Sequence, residues 1–195
     1  MNPELKLLGI SQKTYDFVKS CENSLGNIYE GIEANEAYTQ ARVLKAFQDN
    51  CIALRHFAPT SGYGYDDIGR EALGAVFACA LEAEDALVRP QISSGTQAIF
   101  TALSGLLEPG DVMLSLTGKP YDTLEKAIGI SGDEYCSLKR MGVIYRQVDL
   151  TADGHIDIDA AKAAITGSEK VIYFQRSRGY SWRNALTPEE MAPVF

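Results

Sequence analysis

The run Ser93-Ser94-Gly95-Thr96-Gln97 has the composition of a helix start that can grip an anion. Gly95 permits a tight turn and lets a ligand come close to the backbone. The amides that follow have no partner in the first turn of a helix, and the helix dipole favours negative charge there. Thr96 adds a hydroxyl. The chemistry this allows is phosphate binding; the plain alternative is a serine-capped helix with no ligand. The sequence contains no GxxxxGK[ST] and no GxGxxG, so neither common nucleotide grip is present. Gly62-Tyr63-Gly64 begins like the second, but Asp67 stands at the third glycine position.

Two further loops carry chemistry by type. In Thr117-Gly-Lys-Pro-Tyr-Asp-Thr123, Tyr121 could lie flat on an aromatic ligand. Pro120 and Asp122 equally suit an ordinary helix start. In Gln175-Arg-Ser-Arg-Gly-Tyr-Ser-Trp-Arg183, three arginines fall within eight residues. Guanidinium forks suit phosphates and carboxylates, and solvated surface arginines are the alternative.

Other candidates fail on spacing. Asp149 to Asp159 places Gly154 where a calcium loop needs glycine, but Thr151 and Ala160 occupy ligand positions. His56 and His155 have no neighbouring nucleophile arrangement. Cys21, Cys51, Cys79 and Cys136 form no CxxC, so no zinc or redox motif is expected.

Helices and strands must hold these loops. Helical spacing is expected over 3–22, then over 28–57 with Ser24 as cap and Pro59 as stop. A loop at 60–65 precedes an alanine-rich helix at 67–85. Beyond it, apolar strand runs at 86–92, 111–116, 143–149 and 170–175 alternate with helices at 95–107, 121–129, 134–141 and 158–166. A last helix opens at Thr187-Pro-Glu-Glu. This alternation predicts an α/β fold with a mainly parallel, helix-covered sheet behind an N-terminal helical arm. Residues 1–60 form the arm and 61–195 the sheet domain. The loops after 92, 116 and 175 then lie at the carboxyl ends of strands, where such sheets bind ligands.

The 195 residues are 46% apolar and 23% charged, which suits a globular core. The net charge of −8 argues against nucleic-acid partners. No apolar run suggests a membrane span or a secretory signal, so a cytoplasmic chain with reduced thiols is expected.

Five segments in order, GYGYDDIGR (62–70), ALVRPQISSGTQAI (86–99), LLEPGD (106–111), GKPYDTLEKAIG (118–129) and QRSRGYSWRNALT (175–187), resemble the methionine gamma-lyase-like or aluminium resistance proteins. These are relatives of cystathionine beta-lyase among the fold-type-I pyridoxal-phosphate enzymes. The resemblance implies pyridoxal 5'-phosphate as cofactor. Gly95 and Thr96 would hold its phosphate, Tyr121 would stack on its ring, and Tyr63 would reach a neighbouring subunit's phosphate. Relatives use Tyr-x-Arg where this chain has Tyr63-Gly-Tyr65, and histidine where it has Gln97.

The family's Schiff-base lysine and its acidic partner follow the QRSRGY segment on later strands. The chain is therefore expected to be the N-terminal portion of a carbon–sulfur lyase, with part of the large domain. The whole would act on a sulfur amino acid by β- or γ-elimination and form a homo-oligomer. The isolated chain, without that catalytic lysine, is expected to be inactive. The alternatives are a non-catalytic phosphate-binding or oligomerising module, and an aminotransferase fragment.

Overall fold

The computed structural model describes residues 3–61, 65, 67–132 and 135–195. They divide into two compact units, 1–89 and 90–195.

The first unit is helical. Pro3–Leu7 (α1) and Gln12–Ser24 (α2) are separate helices where one was expected. Gly9, at φ +68°, breaks the run, and Ser11 restarts it by accepting the Thr14 N–H at 3.1 Å. The next helix, Gly26–Asp49 (α3), is not capped by Ser24. That residue ends α2, and its hydroxyl donates back to the Cys21 carbonyl at 2.7 Å. Nor does α3 run to Pro59. The Asn50 side chain donates to the Ala46 carbonyl at 2.9 Å, and Cys51 turns away at φ +51°. A short 3-10 turn over Leu54–Phe57 follows, and then Ile68–Leu81 (α4), which Asp67 caps by accepting the Arg70 N–H at 3.0 Å.

The expected strand at 86–92 forms no ladder among the described residues. A strand persists only against a neighbour that takes its backbone groups. Here the Ala86 carbonyl lies against Gly74, where an added Cβ would sit 2.7 Å away. Arg89 folds back to donate to the Val88 carbonyl at 2.8 Å.

The second unit is a covered parallel sheet. Its elements are Gly95–Leu106 (α5), Val112–Ser115 (β1), Asp122–Ile128 (α6), Ile144–Gln147 (β2), Ile158–Ala164 (α7), Glu169–Tyr173 (β3) and Pro188–Met191 (α8). The strand order is β2-β1-β3, with β1 parallel to both neighbours. Alternate side chains of β1 point to opposite faces. Met113 enters a core with Leu103, Leu107, Leu124, Ile128 and Leu138. Leu114 enters another with Leu116, Ile156, Ala161 and Leu186. Both faces of β1 are therefore buried, which explains why its apolar run is continuous rather than alternating.

The helix expected at 134–141 is absent over 135–141, where the chain makes turns. Its amides bond backward instead, Leu138 N–H to the Ala127 carbonyl at 3.0 Å and Lys139 N–H to that of Ile128 at 2.9 Å. Gly129, at φ +91°, makes room for this strap. The last helix opens as expected. Thr187 and Glu190 cap one another reciprocally, through N–H to oxygen bonds of 2.7 and 3.3 Å.

Candidate functional site: a helix start beside a tyrosine

The three strands deliver their carboxyl-end loops to one place. Leu116 N–H bonds the Tyr173 carbonyl at 3.0 Å, and Gly118 N–H bonds that of Val148 at 2.8 Å. Gln175 N–H donates to the Thr117 hydroxyl at 2.9 Å, and the Gln175 side-chain oxygen accepts the Tyr121 N–H at 2.7 Å. The loops surround a cleft of about 480 Å³ whose lining includes Thr117, Lys119, Tyr121, Asp149, Arg178 and Tyr180.

The Ser-Gly-Thr turn opens α5. Ser94 accepts the Gln97 N–H at 3.1 Å. The Gln97 side-chain oxygen accepts from both the amide and the hydroxyl of Ser93, each at 2.8 Å. Gln97 thus stiffens the turn from within. Among the described residues, the amides of Gly95 and Thr96 bond to nothing, and an added Cβ on Gly95 would meet no atom within 4 Å. The donors are open to approach.

The hydroxyls of Thr96 and Thr123 share a hydrogen bond of 2.7 Å. Thr123 lies in the first turn of α6, whose N-cap residue is Tyr121. That bond sets the α5 start beside Tyr121, two residues away along the chain. Thr96 is thus tied to the first turn of α6, while the cleft lining includes Tyr121 and neither Gly95 nor Thr96. Tyr63 lies outside the described residues. Thr123, Gln175 and Tyr180 also meet these residues; the sequence placed them in the two candidate loops without a role of their own.

Tyr121 packs against Tyr180, with ring centroids 5.7 Å apart and planes 30° apart. Hydrogen bonding with the Tyr180 phenol pushes the Tyr121 hydroxyl above its usual range, helped by desolvation and by the Asp122 charge. The arginine loop is less of an anion fork than its composition suggests. Arg183 donates to the carbonyls of Ser177 at 2.7 Å and Asn184 at 2.8 Å. Arg176 Nε donates to the Leu186 carbonyl at 3.0 Å. Lys119 lies 3.9 Å from the Glu125 carboxylate. Among the described residues, no three His, Cys, Asp or Glu side chains converge as metal ligands. Nor is any described helix long and apolar enough to cross a membrane.

Free amides at a helix start, a neighbouring hydroxyl and an adjacent aromatic ring form a donor set that fits a phosphorylated planar ring. This fits the phosphate and pyridine ends of pyridoxal phosphate.

Known proteins resemble this chain in sequence and architecture over part of their length. The chain is 47% identical over 175 residues to the uncharacterized protein YnbB of Bacillus subtilis, covering 89% of this chain and 42% of that one. It superposes with TM-score 0.88 on a carbon-sulfur lyase involved in aluminum resistance from Clostridium novyi, at 37% identity, covering 100% of this chain and 47% of that one. It superposes with TM-score 0.89 on a candidate cystathionine beta-lyase involved in aluminum resistance from Clostridium acetobutylicum, at 38% identity, covering 97% and 45%. The chain thus spans under half the length of these relatives. The family model for methionine gamma-lyase matches residues 14–195, and the chain belongs to that family.

Proposed function

We propose that this chain is the cofactor-gripping portion of a pyridoxal-phosphate-dependent carbon–sulfur lyase that acts on a sulfur amino acid. The observation that carries the proposal is the Thr96–Thr123 hydrogen bond at 2.7 Å, which couples the open helix start to the Tyr121 segment. When bound, pyridoxal phosphate supplies the electron sink that lets a carbon–sulfur bond of the substrate break. The chain's own residues bind and orient. The Gly95 and Thr96 amides meet the phosphate, where the helix dipole favours its charge. Thr96 presents its hydroxyl from a side chain held by Thr123. Tyr121 offers its ring to the pyridine.

Lys119 lines the cleft from an exposed loop, 3.9 Å from the Glu125 carboxylate, and is not assigned the proton-moving role. The 195-residue chain supplied with pyridoxal phosphate is expected to release no thiol from L-cystathionine or L-methionine. Joined to the part of the Clostridium novyi lyase that it does not cover, it is expected to release thiol. Turnover by the chain alone would overturn this division of labour. Amino transfer by the joined protein without thiol release would make it an aminotransferase. Self-association belongs to the same proposal. It is supported by exposed apolar side chains on α2 and α3, among them Phe17, Ile28, Ile32 and Leu44.

A further inference from the structure

Segment 175–184 touches Tyr121 at two points. Gln175 takes the Tyr121 amide at 2.7 Å. Gly179 and Tyr180 press on the ring: a Cβ on Gly179 would stand 3.2 Å from Tyr121 Cδ2, and the Tyr180 ring lies 5.7 Å away. The segment is itself braced. The Gln175 side-chain nitrogen donates to the Ser177 carbonyl at 3.4 Å. Ser181 bonds the Arg178 carbonyl through its amide at 3.1 Å and its hydroxyl at 2.9 Å. Arg183 gathers the Ser177 and Asn184 carbonyls and reaches toward those of Gln175 and Arg176 at 3.4 and 3.5 Å. A guanidinium with its donors committed to carbonyls fixes backbone geometry.

We propose that segment 175–184 is a bracket for Tyr121, and that Tyr180 is the positioning residue that sets the tilt of the Tyr121 ring on which a planar ligand stacks. The inference rests on the cofactor reading above, and deepens it. An aromatic ring free to turn loses orientation on binding, whereas one held by an offset neighbour presents a prepared face. Arg176 and Arg183 serve the site by shaping this loop.

The probes are pyridoxamine 5'-phosphate and pyridoxamine, which lack the aldehyde that would label surface lysines. Wild type, Tyr180→Ala, Tyr180→Phe and Tyr121→Ala are titrated with both by calorimetry, and the induced circular dichroism of the bound ring is recorded. Tyr180→Ala is expected to weaken both ligands about fivefold, as loss of one aromatic pair implies, and to diminish the induced signal. Tyr180→Phe is expected to restore both, since it keeps the ring. Gly179→Ala is a second variant, expected to alter the induced signal by straining the bracket at φ +58° and by pushing on Tyr121.

Wild-type affinity and signal in both Tyr180→Ala and Gly179→Ala would overturn the bracket. So would tighter binding by Tyr180→Ala, which would mean that Tyr180 occupies the ligand's place. If Tyr121→Ala weakens binding while Tyr180→Ala does not, only the bracket falls. If Tyr121→Ala has no effect, the ring-stacking reading falls with it.

Discussion

Gly95→Pro is expected to leave the fold intact while weakening pyridoxamine 5'-phosphate binding by about 10- to 150-fold. Proline is well suited to the first helical position, because its missing N–H has no helical partner there. Gly95 occupies that position, behind an N-cap Ser94 at φ −156° and ψ 160°. That extended geometry is what a residue before proline prefers. Nothing lies within 4 Å of an added Cβ at Gly95. The substitution therefore removes one amide donor and puts a ring methylene where its hydrogen pointed. A hydrogen bond to a charged group contributes about 1.5–3 kcal/mol, which is roughly 10- to 150-fold in affinity. Pyridoxamine, without a phosphate, should bind the variant as it binds wild type. Calorimetry with both ligands, together with a thermal melt, separates the outcomes. Equal losses for the two ligands would point to a distorted turn. No loss for either would mean that the Gly95 amide does not meet the phosphate.

The largest expected effect on stability lies one layer below. Met113→Ala empties the middle of β1, the strand that delivers Thr117 and Tyr121 to the cleft. Met113 is fully buried and sits among Leu103, Leu124, Ile128 and Leu138. A methionine-to-alanine change in such a core costs about 2–5 kcal/mol, part for lost burial and part for the cavity. A domain has only about 5–15 kcal/mol in total. At about 4–8 °C per kcal/mol for a unit of this size, the melt of the second unit should fall by roughly 8–40 °C. Met113→Leu conserves volume and should cost less than about 1.5 kcal/mol. Circular dichroism melts of both variants check this. A Met113→Ala melt within a few degrees of wild type would show that the cluster is not a packed core.

The parts legible in the sequence were those with a period or a punctuation mark. The runs at 111–116 and 143–149 contain β1 and β2, and the run at 170–175 overlaps β3, which begins one residue earlier at Glu169. Their apolar runs lie between glycine, proline and polar turns. The helix start at Gly95 was readable because capping chemistry is local. The same locality misled at Ser24, which has a cap residue's identity but finds its partner inside the preceding helix. At 134–141 the apolar spacing resembles a helix, yet the amides of Leu138 and Lys139 are taken by α6 carbonyls. At 86–92 the residues read as a strand, but no neighbouring strand pairs with them among the described residues.

The site was legible by residue type and not by partnership. Thr96 and Thr123 stand 27 positions apart, and no periodicity links them. The arginines of 176–183 carry charge in the sequence, but Arg176 and Arg183 spend their donors on backbone carbonyls in the fold. Side chains that brace a loop leave no pattern, since each answers to a carbonyl set by tertiary structure.

On the proposed reading, this chain grips a phosphorylated pyridine through the Gly95–Thr96 amides beside Tyr121. The most direct measurement is phosphorus NMR of pyridoxamine 5'-phosphate titrated with the wild-type chain, alongside calorimetry with pyridoxamine. A saturable phosphorus shift is expected, with tighter binding of the phosphorylated ligand than of the unphosphorylated one. No saturable shift, or equal affinity for the two ligands, would contradict it.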